Sequence, residues 1–174
     1  MKTLILSILL VCTFSIGLYA ANISFNSTSA DSTASNSLGQ LLDLYYNIKD
    51  ALVISNAGTA ALKADEFVKA IKKIDMNSLS ESEQKAFMPL HEKLYANAKE
   101  ISQSKDLVKQ RIYFASFSDN FYSLAKEIKL SSQPIFRDYC TMKKKYWLSS
   151  ESIIKNPYYG KAMPTCGEVK ETLK

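Results

Sequence analysis

The sequence has a single histidine, His91, among its 174 residues. One imidazole excludes the zinc sites that are built from several of them. The chain also lacks a Ser/His/acid signature, a pair of histidines at helical spacing and a glycine-rich phosphate loop. A cysteine nucleophile would need His91 as its base, and nothing in the sequence pairs the two. We therefore predict that the protein is not an enzyme and has no catalytic residues.

Long apolar runs are missing as well, except at the start of the chain. A nearly uninterrupted run from Leu4 to Tyr19 follows Lys2, and small residues come after it. This pattern predicts a signal peptide over residues 1–20, with an uncleaved membrane anchor as the alternative. Removal of Lys2 with the leader would lower the formal net charge from +5 to +4. We expect a periplasmic or otherwise exported protein without a stable membrane span, for which nucleic acid is not an expected partner.

Cysteine is scarce, and its placement is informative. Of three cysteines, Cys12 lies within the predicted leader, so the mature chain would keep only Cys140 and Cys166. An even number of cysteines in an exported protein is the usual basis for a disulfide. A disulfide that closes a loop of this length would stabilise the fold by roughly 3.5 kcal/mol in the loop-entropy model.

The middle of the chain has four segments with apolar residues at helical spacing. Residues 21–37 come first and are rich in Ser, Thr, Asn and Ala, which predicts a flexible linker. The apolar stripes then run from Leu41 to Leu52, Ala64 to Ile74, Phe87 to Ile101 and Leu107 to Ile128. Ser80 and Glu83 match a capping box before the third stripe. We predict a mainly α protein, with an up-down four-helix bundle over residues 38–130.

Residues 131–174 have a different character, because aromatic side chains are dense and turn residues frequent. Asn156-Pro157 favours a turn, and Gly160 favours its end. The segment has β-type or irregular character. We predict an irregular, aromatic-rich cover segment that packs on the bundle, so that residues 38–174 form a single domain. The predicted structural or interaction residues are Arg111, Phe114, Ser118, Trp147, Asn156, Tyr158 and Gly160.

Arg111 leads a short series on the fourth predicted helix, with Phe114 and Ser118 at spacings of three and four. These spacings place the three side chains on one face. A half-buried guanidinium needs hydrogen-bond acceptors. We therefore expect Arg111 to hold the cover segment to the bundle through a carboxylate or backbone carbonyls.

Two pairs of sulfur-containing residues lie in the cover segment. Cys140 is two residues before Met142, and Met163 is three residues before Cys166. Thiolate and thioether sulfurs are soft ligands and suit Cu(I). If the segment closes on itself, the four sulfurs could provide a two- to four-coordinate Cu(I) site. A Cys140–Cys166 disulfide is the alternative, and the spacing alone leaves both open.

Several motifs together resemble a bacterial family of unknown function. They are Arg111-x-x-Phe114-x-x-x-Ser118, Tyr139-Cys140-x-Met142, Trp147-Leu148-Ser149, Asn156-Pro157-Tyr158-Tyr159-Gly160 and Cys166-Gly167. The resemblance covers about residues 41–173 and is closest from Arg111 onward. The chain departs from it at Thr141, where the family has proline, and at Lys145 and Tyr146, where it often has glycine or alanine.

Members of that family are small exported proteins, or domains appended to the periplasmic adaptors of copper and silver efflux pumps. The resemblance implies a periplasmic heavy-metal accessory protein with Cys140, Met142, Met163 and Cys166 as Cu(I) ligands. An efflux adaptor or another metal-handling protein would be its partner. The alternative is a non-catalytic interaction module, stapled by a Cys140–Cys166 disulfide, that docks such a partner.

Overall fold

A computed structural model describes the backbone of residues 29–174 and the side chains of residues 37–174. The predicted signal peptide, residues 1–20, and residues 21–28 of the predicted linker lie outside the described residues. The described chain is mainly helical, as predicted. Among its helices, none combines the length and the apolar content that crossing a membrane requires.

Four helices make up most of the described chain. They are α1 (Ser29–Val53), α2 (Ala57–Ile71), α3 (Glu81–Gln103) and α4 (Leu107–Glu127). Each packs mainly on the next one along the chain, and α1 also contacts α4. Single turns of 3-10 helix lie at Met76–Ser78 and Gly160–Ala162.

Polar caps fix where these helices begin. Asn56 Oδ1 accepts a hydrogen bond from Thr59 N at 3.0 Å, at the start of α2. Ser80 and Glu83 form the predicted capping box at the start of α3. Each cap satisfies a backbone N–H that has no partner within its helix.

The first helix begins earlier than the sequence predicts. α1 starts at Ser29 rather than near Leu38, so residues 29–37, which composition assigns to a flexible linker, are helical. Once a helix has formed, each added residue contributes one more hydrogen bond at little further entropic cost. A polar segment without proline can therefore extend α1 although it has few apolar residues.

The cover segment contains a small sheet, so the expected β-type character is present, and the description of the segment as irregular fails only over the three strands. Strands β1 (Ile135–Cys140), β2 (Lys145–Ser149) and β3 (Glu168–Leu173) form an antiparallel sheet in the order β2-β1-β3. A bulge between Arg137 and Asp138 interrupts the pairing of β1 with β3. Because Arg137 pairs with Glu171 and Asp138 pairs with Val169, the extra residue is Lys170, and it breaks the two-residue alternation of β3.

The sheet packs on the helices through aromatic side chains. β2 lies against α4, and Trp147 and Leu148 of β2 are buried. The fully buried aromatic side chains form one core that extends from the helices to the sheet: Tyr45, Phe67, Phe87, Phe114, Phe117, Phe121 and Trp147.

Tyr45 of α1 joins three elements at the centre of this core. Its hydroxyl accepts a hydrogen bond from Leu148 N of β2 at 2.9 Å. It also shares a hydrogen bond of 2.7 Å with Ser118 Oγ of α4. Burial raises the pKa of Tyr45 well above its ordinary value, so the hydroxyl stays protonated. One phenol therefore satisfies polar groups on α4 and β2 at the same time.

We expect Tyr45→Phe to lower the free energy of unfolding by about 1–3 kcal/mol, because it leaves the buried Leu148 N–H without an acceptor. Urea unfolding monitored by circular dichroism measures this change. Tyr113→Phe is the matched control, since the Tyr113 hydroxyl bonds to Glu100 outside this core. Equal effects of the two substitutions would contradict the central role of the Tyr45 hydroxyl.

Candidate functional site

The two cysteines of the described chain lie side by side at one end of the sheet. Cys140 is the last residue of β1 and is buried, whereas Cys166 precedes β3 and is partly exposed. Their Sγ atoms are 3.8 Å apart, and both residues are free thiols. A pair of thiols in contact, one of them open to solvent, is the chemically distinctive feature of the cover segment.

Asn156 holds the segment that leads to Cys166. Its side-chain amide donates a hydrogen bond to the carbonyl of Cys166, and its backbone N–H donates to Pro164 O at 2.7 Å. Asn156 Oδ1 accepts hydrogen bonds from the backbone N–H groups of Tyr158 and Tyr159 at 2.8 and 3.2 Å. Because Asn156 is fully buried, these bonds fix the position of Cys166 without a covalent link to Cys140.

The surroundings of the two thiols differ. The backbone N–H of Lys143 donates a hydrogen bond to Cys140 Sγ at 3.5 Å. Burial raises the pKa of the Cys166 thiol, and the neighbouring Cys140 raises it further. The Cys166 thiol is therefore protonated at neutral pH, and binding a metal would release its proton.

The methionines predicted as ligands are close to these cysteines in the sequence, and both have exposed side chains. Met142 is in the turn between β1 and β2 and is 60% exposed, while Met163 follows the Gly160–Ala162 turn and is 39% exposed. The structure brings the two thiols together and leaves both thioether side chains largely open to solvent. Among the side chains of residues 37–174, no group of three or more His, Cys, Asp or Glu could hold a metal ion.

Arg111 connects the cover segment to the helices. Its Nε donates to Pro157 O at 2.8 Å, and its Nη2 donates to Leu52 O at 3.3 Å and to Ser55 Oγ at 3.1 Å. Partial burial lowers the pKa of the guanidinium from its ordinary value. The acceptors are carbonyls and a hydroxyl, so Arg111 joins the end of α1 to the turn that begins at Asn156.

Gly160 packs against the same guanidinium. Its φ of +56° lies in the left-handed region, which glycine adopts without steric cost. A Cβ at this position would overlap Arg111 Nη2 and Ser55 Oγ, and it would lie 2.9 Å from Leu52 O. The close approach of the turn to α1 therefore requires glycine.

The remaining predicted interaction residues are core contacts. Phe114 stacks on Tyr45 with ring centroids 5.3 Å apart and lies 5.9 Å from the Tyr158 ring. Trp147 also lies 5.9 Å from Tyr158, whose hydroxyl donates to Tyr146 O at 2.6 Å. These contacts join α1 and α4 to β2 and to the turn that begins at Asn156.

Sequence reasoning missed Asp138, a fully buried carboxyl group in the central strand β1. Burial raises its pKa to about 7, against the opposing effects of the Lys49 ammonium and the Trp147 indole N–H. Trp147 is its partner across the β1–β2 pairing. An aspartate among aromatic residues gave no signal of its own, because its burial depends on strand pairing that the sequence did not reveal.

Sequence reasoning also missed Arg137, whose guanidinium is held between two tyrosine rings. It lies 3.5 Å from the centroid of Tyr122 on α4 and 4.1 Å from that of Tyr146 on β2. Such cation–π contacts add attraction that a charge alone would not provide. Arg137 therefore secures the sheet to α4. Its Nη1 also lies 3.8 Å from Glu171 Oε2 of the neighbouring strand β3.

Comparison with known proteins gives one match. A family model described as a protein of unknown function, DUF3347, matches residues 41–133, from α1 to the end of α4 and the loop after it. No curated protein and no solved structure matches the chain. The match ends before β1, so it covers neither cysteine of the thiol pair and carries no link to efflux adaptors. Because it spans 93 of 174 residues, the chain belongs to the DUF3347 family.

Proposed function

We propose that the protein is an exported heavy-metal accessory protein that binds Cu(I) through Cys140 and Cys166. The contact between their sulfur atoms, 3.8 Å apart, carries this proposal. When two sulfurs bind the same ion at about 2.3 Å, their separation depends on the sulfur–metal–sulfur angle. It is about 3.8 Å at the tetrahedral angle and about 4.6 Å when the sulfurs lie on opposite sides of the ion. The observed separation falls at one end of this range, so the thiols can close on an ion with small side-chain rotations.

The ligand types favour Cu(I) over zinc. Thiolates and thioethers are soft and suit Cu(I), whereas structural zinc takes four ligands from Cys, His and carboxylates. The described residues offer no group of three such zinc ligands. Met142 and Met163 are exposed and close in sequence to the two cysteines, and in this proposal their side chains turn toward a bound ion and complete its coordination.

The rest of the chain provides a scaffold for this site. We propose that the four helices form an up-down bundle, on which the sheet holds the thiol pair with Cys166 partly open to solvent. The leader predicted at residues 1–20 would direct the protein to the periplasm, where an efflux adaptor or another metal-handling protein could exchange copper with it. Arg111, Asn156 and Gly160 keep the cysteine-bearing turn in place.

A competition titration of the reduced protein with Cu(I), under nitrogen, tests the proposal. We expect one-to-one binding that either Cys140→Ser or Cys166→Ser abolishes, because one thiolate alone is a weak site. Met163→Leu and Met142→Leu are expected to weaken binding by a smaller factor. Met88→Leu is the matched control, since Met88 is an equally exposed methionine on α3. Affinity that survives both cysteine substitutions would overturn the proposal.

The same sulfur contact supports a second function, that of an interaction module stapled by a disulfide. A modest rotation would bring the sulfurs from 3.8 Å to bonding distance. The disulfide would add roughly 3.5 kcal/mol of stability. Mass spectrometry of protein purified from an oxidising compartment distinguishes the two. Loss of two hydrogens, with no thiol available to Cu(I), favours the stapled module, whereas two free thiols favour the metal site.

A further inference from the structure

A groove of about 310 Å³ lies between α4 and the turn that joins β1 to β2. Ala115 and Tyr158 are buried in its floor, while Val108 and Ile112 form an apolar rim and are 65% and 62% exposed. Val108, Ile112 and Ala115 follow one another at spacings of four and three along α4, so they share one face of the helix. We call this surface the α4–hairpin groove.

The charges that line the α4–hairpin groove are all positive. Lys143 and Lys145 extend from the hairpin, and Arg111 extends from α4. Burial raises the pKa of Asp119, further along α4, and the Lys145 ammonium opposes that rise, but Asp119 does not line the groove. An apolar surface bordered by cations is complementary to an apolar segment bordered by carboxylates.

We propose that the α4–hairpin groove binds an acidic amphipathic helix of a protein partner. Two apolar side chains one turn apart on such a helix would fill the groove beside Val108 and Ile112, and its flanking carboxylates would face Lys143 and Lys145. This is the helix-in-groove mode of recognition, in which anchors recur every three to four residues. The inference goes beyond the proposed copper site and does not depend on it.

The shape of the groove favours a helix over a lipid chain. Its apolar rim residues are mostly exposed, and a bound acyl chain would be left largely in water, whereas ligand sites for small apolar molecules bury most of the ligand. A partner helix instead needs only one face covered, and its other faces remain hydrated. Loss of the exposed apolar area of Val108 and Ile112 on binding would favour association.

Fluorescence anisotropy with a labelled synthetic peptide tests the proposal. The probe is a helical peptide with leucines on one face and glutamates beside them, and the matched peptide has glutamine in place of glutamate. We expect the acidic peptide to bind the purified protein and the glutamine peptide to bind roughly tenfold more weakly. Added salt should weaken only the acidic peptide, because it screens exposed charges.

Variants of the protein locate the binding surface. Ile112→Ser should weaken binding about five- to tenfold through lost apolar contact, and Lys143→Glu with Lys145→Glu should weaken it at least as much. Leu62→Ser is the apolar control, since Leu62 is 67% exposed on α2, beside another groove. Lys129→Glu controls for charge at an exposed site beyond α4. Circular dichroism of each variant checks that it is folded.

Three results would overturn the proposal. The first is binding that Leu62→Ser reduces and Ile112→Ser does not, which would place the peptide between α2 and α3. The second is equal affinity for the acidic and glutamine peptides. The third is binding of the protein to phosphatidylglycerol vesicles that the acidic peptide cannot displace. That result would make the cations that line the groove a membrane contact. None of these measurements involves copper, so failure here leaves the metal proposal standing, and the reverse also holds.

Discussion

Gly160→Ala is expected to lower the free energy of unfolding by about 3 kcal/mol or more. The φ of Gly160 is +56°, and an L-residue in that region costs roughly 1–2 kcal/mol. The new Cβ would also overlap Arg111 Nη2 and Ser55 Oγ. Displacing the guanidinium breaks hydrogen bonds to a charged group, each worth about 1.5–3 kcal/mol. Urea unfolding monitored by circular dichroism measures the loss.

Gly58→Ala is the matched control for this substitution. Gly58 lies in the first turn of α2, and a Cβ there would meet only Asn56 Oδ1, at the ordinary contact distance of 3.6 Å. Alanine is favoured over glycine in a helix by up to about 1 kcal/mol, so this variant should be slightly more stable than the wild type. Similar small effects at both positions would contradict the close packing described around Gly160.

Asp138→Asn is expected to remove a large pH dependence of stability. The folded-state pKa of Asp138 is about 7, whereas an unfolded aspartate has a pKa of about 3.9. Between these values the folded chain binds a proton that the unfolded chain does not, so the free energy of unfolding falls as pH rises from about 4 to about 7. The whole effect is at most about 4 kcal/mol, from 1.36 kcal/mol per pKa unit.

Asparagine keeps the size and polarity of the protonated aspartic acid without its charge. The variant should therefore be more stable than the wild type at pH 8, and the two should be nearly equal at pH 4. Urea unfolding across this pH range measures the difference. Asp65→Asn is the control, because Asp65 is an exposed residue of α2 paired with Lys69. If the free energy of unfolding of Asp138→Asn depends on pH as strongly as that of the wild type, another group causes the pH dependence.

The helices could be predicted from the sequence because their signals are local. Apolar residues recur on one face within each segment, and the Ser80–Glu83 capping box marks the start of α3. These patterns need no knowledge of distant residues. The boundaries were less certain, as the early start of α1 at Ser29 shows.

The sheet was predicted only as β-type character, without its strands or their order, because its signals depend on pairing. β3 is almost wholly exposed and carries Glu168, Lys170 and Glu171, so it shows no buried face in the sequence. Lys170 is an extra residue in the pairing of β3 with β1, and it shifts the alternation of β3. Burial of Asp138 follows from that pairing and could not be read from its neighbours in the chain.

The candidate site was predictable in part. The cysteines stand out because they are few, and the structure places their sulfurs 3.8 Å apart. Copper binding by these thiols stays a prediction, as does the role of Met142 and Met163. The α4–hairpin groove had no sequence signal, since it forms between α4 and a turn about thirty residues further along the chain.

The tyrosine contacts of β2 also determine how the sheet meets other chains. A strand at the edge of a sheet exposes N–H and C=O groups that can template aggregation. On β2, the Tyr45 hydroxyl accepts from Leu148 N and the Tyr158 hydroxyl donates to Tyr146 O. These phenols occupy the positions of an incoming strand, so β2 is protected from edge-to-edge association. At the opposite edge of the sheet, the charged side chains of β3 oppose edge-to-edge association, because an added strand would bury them at a cost in free energy.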